Sequence, residues 1–187
     1  MTGGKFDIDD LQRRMNGSVD ALNHEFAGLR TGRANVALLD AVMVDAYGAM
    51  MPINQVGTVA VPEPRMITGQ VWDKGLVGPV EKAIQNADLG LNPFADGQMV
   101  RIPIPELNEE RRQEMTRIAG KYAEQSRVAA RNVRRDGMDK LKHAEKDGDM
   151  SQDKHRDLSD DVQKMTDDAV SRIDDLLAKK EHDIMEV

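Results

Sequence analysis

The strongest chemical signal in the sequence is a group of arginines in a stretch that contains no acid. Residues 125–135 hold Arg127, Arg131, Arg134 and Arg135 but no aspartate or glutamate. The first three are spaced four and three residues apart, which places them on one face of a helix. The planar guanidinium group can donate two parallel hydrogen bonds to a phosphate. The spacing therefore indicates either a surface that binds a nucleic-acid backbone or a solvated helix face.

The charge of the chain is unevenly distributed. The formal net charge is −7, which by itself argues against a nucleic-acid partner. Residues 101–142, however, carry 11 basic and 7 acidic side chains, whereas residues 143–187 carry 7 basic and 14 acidic ones. Because only 3% of the residues are aromatic, stacking on single-stranded bases is disfavoured. The pattern favours structured RNA that is bound through its backbone.

A second basic group lies where the first predicted helix ends. The sequence LRTGRA at residues 29–34 places Arg30 and Arg33 on either side of Thr31 and Gly32. A helix C-terminus accounts for the glycine as a capping residue and for one arginine as a partner of the helix dipole. It does not require both arginines, so a binding role for this group stays open.

Signals for catalysis, metal binding and membrane insertion are weak. The absence of cysteine excludes disulfides, thiol catalysis and cysteine-ligated zinc. The four histidines are scattered, and no phosphate-binding loop or dinucleotide fingerprint occurs. No apolar run approaches the ~18 residues of a membrane span, and the first ten residues do not resemble a signal peptide. We therefore expect a cytoplasmic protein with no catalytic residue, metal, cofactor or membrane contact.

Apolar residues at helical spacing predict three long helices. The first covers residues 8–29, the second begins after Asn108 as N-cap and runs to about Lys146, and the third begins at Ser151. Their predicted buried residues are Ile8, Leu11, Met15, Val19, Leu22, Phe26 and Leu29; Met115, Ile118, Tyr122, Ala129, Val133 and Leu141; and Leu158, Val162, Met165, Ala169, Ile173, Leu176 and Ile184.

The segment between the first two helices is predicted to be a small mixed domain. It contains all seven prolines of the chain, which mark frequent turns. Short strands are predicted at residues 41–47, 57–61, 66–72 and 99–104, with Pro103 tolerable only at an edge. A short helix is predicted at residues 76–87.

Three amphipathic helices can bury their apolar faces together in a three-helix bundle. The sequence thus predicts an α+β fold in which a β/α/β domain, residues 31–105, is inserted into a bundle of residues 1–30 and 106–187. The chain crosses the junction twice, so we predict a hinge there. Its residues are Thr31, Gly32, Pro103 and Pro105.

Five motifs, in order along the chain, resemble those of ribosome recycling factors. They are LRTGRA at 29–34, EKAI with DLGLNP at 81–93, IPEL with EERR at 104–112, VAARNVRRD at 128–136 and KKE at 179–181. The resemblance covers nearly the whole chain. Two departures are modest: Ala130 stands where the family usually has valine, and Gly137 where alanine is usual. The glycine is expected to soften its helix by ~1 kcal/mol.

The resemblance implies an L-shaped monomer, similar in outline to transfer RNA, that acts after translation termination. Such a factor binds the large ribosomal subunit through its RNA, and elongation factor G with GTP then drives subunit splitting. By this analogy Arg30, Arg131 and Arg134 contact ribosomal RNA, and Arg33, Arg127 and Arg135 are further contacts. The inserted domain would face elongation factor G. The chain itself would not be an enzyme, because GTP hydrolysis belongs to its partner.

Two other functions remain open from the residues alone. The chain could be a helical RNA-binding module of translation without recycling activity, or a coiled-coil adaptor whose apolar faces pair with another protein. The inserted proline-rich segment argues against a simple coiled coil, which would keep its heptads uninterrupted. Only an RNA-backbone binder should lose affinity steeply with salt.

Overall fold

The computed structural model describes residues 4–29 and 31–186. Its contacts divide the chain into two compact units. The first, here the helical unit, comprises Met1–Phe26 and Thr116–Glu181, and the second, the mixed unit, comprises Ala27–Met115 and His182–Val187. The predicted α+β class, with three long helices and an inserted mixed segment, is confirmed. The domain boundaries placed at residues 30 and 106 fall inside the mixed unit and stay a prediction.

Three long helices supply the helical unit: α1 (Ile8–Ala27), α3 (Glu109–Lys146) and α4 (Gln152–Met185). The predicted N-caps of the last two are present, since Asn108 Oδ1 accepts from Arg111 N at 2.8 Å and Ser151 Oγ from Lys154 N at 3.2 Å. Such caps satisfy amide groups that lack a partner inside the helix. Helix α1 ends at Ala27, earlier than predicted, so Gly32 does not cap it.

Each of the three helices buries an apolar face. Buried side chains recur at three- and four-residue spacing on each helix, which is the pattern of an amphipathic bundle helix. Within the helical unit the buried residues are Leu11, Met15, Ser18, Val19, Leu22 and Phe26 on α1; Ala119, Ala123, Ser126, Ala130, Val133, Gly137 and Leu141 on α3; and Val162, Met165, Thr166, Ala169 and Ile173 on α4.

Polar contacts connect every pair of these helices. Arg14 of α1 donates to Asp136 of α3, Arg127 of α3 to Asp174 of α4, and Arg172 of α4 to Asn16 of α1. The prediction that Ala129 belongs to the buried face of α3 was wrong, because Ala129 is exposed and its neighbour Ala130 is fully buried.

The mixed unit consists of two small sheets and one helix around its own core. Strands β1 and β2 form an antiparallel pair, and the other four form an antiparallel sheet in the order β3-β4-β6-β5. The elements are β1 (Met43–Ala46), β2 (Ala49–Pro52), β3 (Gly57–Glu63), β4 (Met66–Val71), α2 (Val77–Asn86), β5 (Phe94–Asp96) and β6 (Met99–Pro103), with short 3-10 helices at Val36–Leu39, Ile53–Gln55 and Lys74–Leu76.

Strand β6 contains a proline although it lies between two other strands. Ile104 N donates to Arg65 O at 2.9 Å. The backbone N–H groups of Ile104 and of every second residue before it therefore point toward β4. The nitrogen of Pro103 therefore faces the β5 side. Strand β5 begins at Phe94, which pairs with Arg101, so no described residue of β5 pairs with Pro103. The proline is tolerated at this open end of an inner strand, not on an edge strand as predicted.

Substitution of alanine for each of the two glycines of α3 is expected to change the stability of the fold in opposite directions. A Cβ at Gly137 would lie 2.7 Å from Leu11 Cδ1, a buried atom of α1, whereas a Cβ at Gly120 would meet nothing within 4 Å. Alanine favours the helix by about 0.5–1 kcal/mol at either position. At Gly137 overpacking costs about 1–3 kcal/mol and outweighs that gain.

We therefore expect Gly137→Ala to lower the melting temperature and Gly120→Ala to raise it by about 2–4 °C. Thermal unfolding followed by circular dichroism measures both. A higher melting temperature for Gly137→Ala would mean that Leu11 moves aside at little cost. In that case the glycine would only soften the helix.

Candidate nucleic-acid interface

The predicted arginine face lies on the part of α3 that borders α4. Arg131 and Arg134 line a shallow groove between the two helices, together with residues of α4. The side chain of Arg131 is 54% exposed and that of Arg127 is 20% exposed. The helix thus brings the predicted residues together, and the groove presents guanidinium groups to solvent.

Acidic partners accompany two of these arginines, contrary to the sequence argument that none was available. Glu124, which directly precedes the acid-free window, pairs with Arg127 at 3.1 Å and with Arg131 at 3.2 Å. Asp174 of α4 accepts from two nitrogens of Arg127 at 2.9 and 2.7 Å. Hydrogen bonds from Arg127 and then Arg131 lower the pKa of Glu124, and the bond to Asp174 raises the pKa of Arg127.

Arg127 is consequently the least available of the four for a phosphate. It joins α3 to α4 and is mostly covered, so its contacts within the chain account for its position. Within the described residues Arg131 has a single polar contact, to exposed Glu124, and exposed ion pairs contribute little to stability. A phosphate can replace such a contact at small cost.

Arg134 is positioned by a residue that sequence reasoning missed. Its Nε donates to Gln163 Oε1 at 2.7 Å, and Gln163 Nε2 donates in turn to Asp167 Oδ1 at 2.9 Å. Gln163 lies 29 residues away on α4, so spacing on α3 could not reveal it. The two terminal nitrogens of Arg134 make no hydrogen bond within residues 4–29 and 31–186. They can therefore donate to a phosphate in the groove.

Arg135 is exposed and makes no ion pair or hydrogen bond in the part of the chain that the structure describes. It follows Arg134 directly and therefore points about 100° further around the helix. A bound RNA backbone that contacts both would have to cross the helix.

The second basic group is only partly described. Arg30 lies outside the described residues. Arg33 is exposed and pairs with Glu186 at 3.1 Å and more distantly with Asp183 at 3.7 Å, so its charge is offset within the mixed unit. Thr31 is buried, and its Oγ1 accepts from Arg33 N at 3.2 Å, which closes a local turn.

The predicted hinge segments both lie inside the mixed unit. Ala34 N donates to Pro64 O at 2.6 Å, and Ile104 N donates to Arg65 O at 2.9 Å. The β3–β4 turn therefore holds one end of each segment. Of the four predicted hinge residues, Pro103 ends β6 and Pro105 is exposed beyond it, while Gly32 is half-buried in the Thr31 turn.

Other kinds of site find no support within the described ranges. No group of three or more histidine, aspartate or glutamate side chains there is arranged to hold a metal ion. No helix in residues 4–29 or 31–186 is long and apolar enough to cross a membrane.

Asp136, which ends the VAARNVRRD motif, is expected to make stability depend on pH. The hydrogen bond from Arg14, followed by the contact with Lys140 at 3.2 Å, lowers the pKa of Asp136. A lowered carboxyl pKa contributes stability above the unfolded value of ~3.9, and this is lost as pH falls through the folded pKa. The side chain is 39% exposed, so the contribution is below about 1 kcal/mol.

We expect Asp136→Asn to lower the melting temperature by about 1–4 °C at pH 7, and the difference from the parent chain to shrink below pH 4. Asp139→Asn is the matched control, because Asp139 is an exposed carboxylate on the same helix without an ion pair in the described chain. A difference that does not change with pH would contradict the ionic origin.

Comparison with known proteins identifies the family. A family model described as "Ribosome recycling factor" matches residues 22–185. The chain belongs to the ribosome recycling factor family. The factor of Parvibaculum lavamentivorans is 61% identical over 187 residues, which cover 100% of both chains. The VAARNVRRD segment and the LRTGRA segment thus lie in a chain that resembles recycling factors over its full length.

Solved recycling factor structures agree with the fold. A solution structure of a ribosome recycling factor superimposes with a TM-score of 0.76 at 40% identity and covers 96% of this chain and 95% of that chain. A second match, with a TM-score of 0.67 at 44% identity, covers 96% and 97%. It belongs to models of the T. thermophilus ribosome recycling factor and the E. coli elongation factor G bound to the E. coli post-termination complex.

Proposed function

We propose that the chain is a cytoplasmic ribosome recycling factor that binds post-termination ribosomes. With elongation factor G and GTP it promotes subunit splitting and release from messenger RNA. The observation that carries this proposal is the full-length similarity to recycling factors, one of which is described on the post-termination complex with elongation factor G.

The RNA contact that we propose is the α3–α4 groove with Arg131 and Arg134, extended by Arg135. Arg127 would act mainly by joining α3 to α4, and Arg30 and Arg33 would add contacts at the other basic group. Arg131 and Arg134 can offer paired nitrogens to phosphate oxygens, which suits a backbone contact. Because these contacts do not read bases, the recognition would depend on the shape of the folded RNA.

The chain would bind and move without catalysing a reaction of its own. In this proposal the free energy for splitting comes from GTP hydrolysis by elongation factor G. The large-subunit contact of the helical unit and the elongation-factor contact of the mixed unit would then act together during one event.

The proposal is tested by adding the purified chain, elongation factor G and GTP to post-termination ribosomes and following subunit separation by light scattering. We expect splitting only when all three are present. Binding without splitting would favour the RNA-binding module that lacks recycling activity.

A salt titration of large-subunit binding separates the proposed RNA contact from the adaptor alternative. Neutralising about 3–5 phosphates predicts that log affinity falls linearly with log salt, with a slope of about −3 to −5. A flat response would indicate docking on protein and favour a coiled-coil adaptor.

A further inference from the structure

A small cavity in the mixed unit is lined by three arginines that come from separate segments of the chain. Its volume is about 180 Å³. Since one water needs ~30 Å³, it can hold a small anion with a few waters. Its charged lining consists of Arg33, Arg65, Arg112, Glu106 and Glu186.

Backbone hydrogen bonds fix the walls of this cavity. Arg65 lies in the β3–β4 turn, whose carbonyl groups at Pro64 and Arg65 accept from Ala34 N and Ile104 N. Arg112 lies in the first turn of α3, where its amide donates to Asn108 O at 3.0 Å. The guanidinium groups of Arg65 and Arg112 therefore start from backbone positions that hydrogen bonds hold before any ligand binds.

Two of the three arginines have acidic partners, and the third does not. Arg33 pairs with Glu186 at 3.1 Å, and Arg65 pairs with Glu106. Within residues 4–29 and 31–186 Arg112 makes no ion pair, and its buried Nε has no hydrogen-bond partner. A buried donor without a partner destabilises the fold, and more so when it is charged. The cavity thus contains a cationic donor that lacks an acceptor.

We propose that this cavity is a binding site for a phosphate group, with Arg112 as its principal ligand. Each guanidinium has five N–H donors, so Arg33 and Arg65 can keep their glutamates and still donate to a bound anion. Donors that approach from three segments suit the tetrahedral arrangement of phosphate oxygens better than a planar carboxylate. Such a phosphate group is found on a free ion or small ligand and on an RNA backbone, and the experiment below distinguishes these sources.

The side-chain Nε–H signal of Arg112 in a nitrogen-15 NMR spectrum reports directly on the proposed contact. Inorganic phosphate is titrated into the folded chain at constant ionic strength, with chloride as the balancing ion. We expect a saturable shift of the Arg112 signal and no saturable shift of the Arg111 signal. Arg111 is the matched neighbour, because it is exposed and among the described residues pairs only with Glu114 on the same helix.

Substitutions provide the assignment and the second readout. Arg112→Gln should weaken phosphate affinity at least 10-fold, whereas Arg111→Gln should leave it unchanged. If Arg112→Gln does not fold, Arg112→Lys removes the same signal while it keeps the charge, and the titration of the parent chain remains decisive.

A second arm identifies the source of the phosphate. A short RNA duplex without terminal phosphates is titrated in the same way. A shift of Arg112 with this duplex supports a backbone phosphate, and a shift with inorganic phosphate alone supports a free ligand. No saturable shift with either, or equal shifts of Arg111 and Arg112, would overturn the site. That failure would leave the proposed recycling function intact, because the cavity and the α3–α4 groove share no lining residue.

Discussion

Arg134→Ala is expected to weaken binding to the large ribosomal subunit by about 10- to 100-fold. The terminal nitrogens of Arg134 are free of partners in the described chain, while Gln163 holds its Nε at 2.7 Å. A hydrogen bond to a charged group is worth about 1.5–3 kcal/mol, and each 1.4 kcal/mol changes affinity tenfold. Equilibrium binding to purified large subunits at fixed salt measures the effect.

The matched control for this loss is Arg111→Ala, which removes the same charge from the same helix. Arg111 does not line the groove and in the described chain pairs only with Glu114, so we expect less than a 3-fold change. Gln163→Ala should give an intermediate loss, because it frees the guanidinium of Arg134 without removing it. Equal affinities of Arg134→Ala and the parent chain, with unchanged circular dichroism, would show that the groove does not bind RNA.

The long helices could be predicted because their signals are local. Apolar spacing and the capping residues Asn108 and Ser151 are all contained in short stretches of sequence, and the structure has α3 and α4 beginning at the residues that these caps imply. The buried face of α3 was harder to predict, because it consists largely of alanine, serine and glycine. Small residues contribute little to an apolar pattern even when, like Ala119 and Ala130, they are fully buried.

The missed strands have a similarly local explanation. Residues 41–47 were predicted as one strand, but the chain turns at Tyr47 and Gly48, whose φ angles are 55° and 86°. Two successive positive φ angles are typical of a two-residue hairpin turn, which usually contains asparagine and glycine. Because tyrosine occupies the first position, the sequence did not indicate the turn, and strand β2 was therefore not predicted. Strand β5 has only three residues and follows Pro93, so no alternation could develop.

The candidate site could be predicted only in part. Spacing on one helix placed Arg127, Arg131 and Arg134 on a common face, and the structure shows that this face borders α4. It could not reveal partners from another helix, because Asp174 and Gln163 are 47 and 29 residues from the arginines they contact. The unpaired Arg112 gave no signal either, since its significance depends on burial of Nε in a cavity built from distant segments.

A hinge near Thr31 and Gly32 and near Pro103 and Pro105 remains a prediction. The backbone hydrogen bonds narrow the positions at which the chain could bend. The β3–β4 turn holds Ala34 and Ile104, so bending would fall before Ala34 and after Ile104. The backbone conformation would then change at Thr31–Arg33 and Pro105–Glu106 during bending. Gly32 supplies backbone freedom there, whereas Pro105 restricts the return segment to fewer paths. Pro103, whose strand pairs with Met66, would move with the sheet.

A disulfide engineered across the predicted hinge is expected to abolish elongation-factor-dependent splitting while large-subunit binding is kept. A hinge works because a few residues absorb the backbone change while both packed bodies stay rigid. The chain has no cysteine, so one cysteine introduced on each side of the hinge can form a single defined bond, provided that their Cβ atoms approach to about 3.5–4.5 Å. Light scattering follows splitting before and after reduction.

Two comparisons separate a locked hinge from a damaged protein. Each single-cysteine variant should split ribosomes at the parent rate, and reduction of the linked form should restore splitting within the same sample. If large-subunit binding survives oxidation, the RNA contact does not require the movement that the disulfide blocks. Splitting at the full rate in the oxidised form would contradict the hinge. The RNA contacts of the α3–α4 groove would then have to promote splitting without bending at residues 31–33 and 105–106.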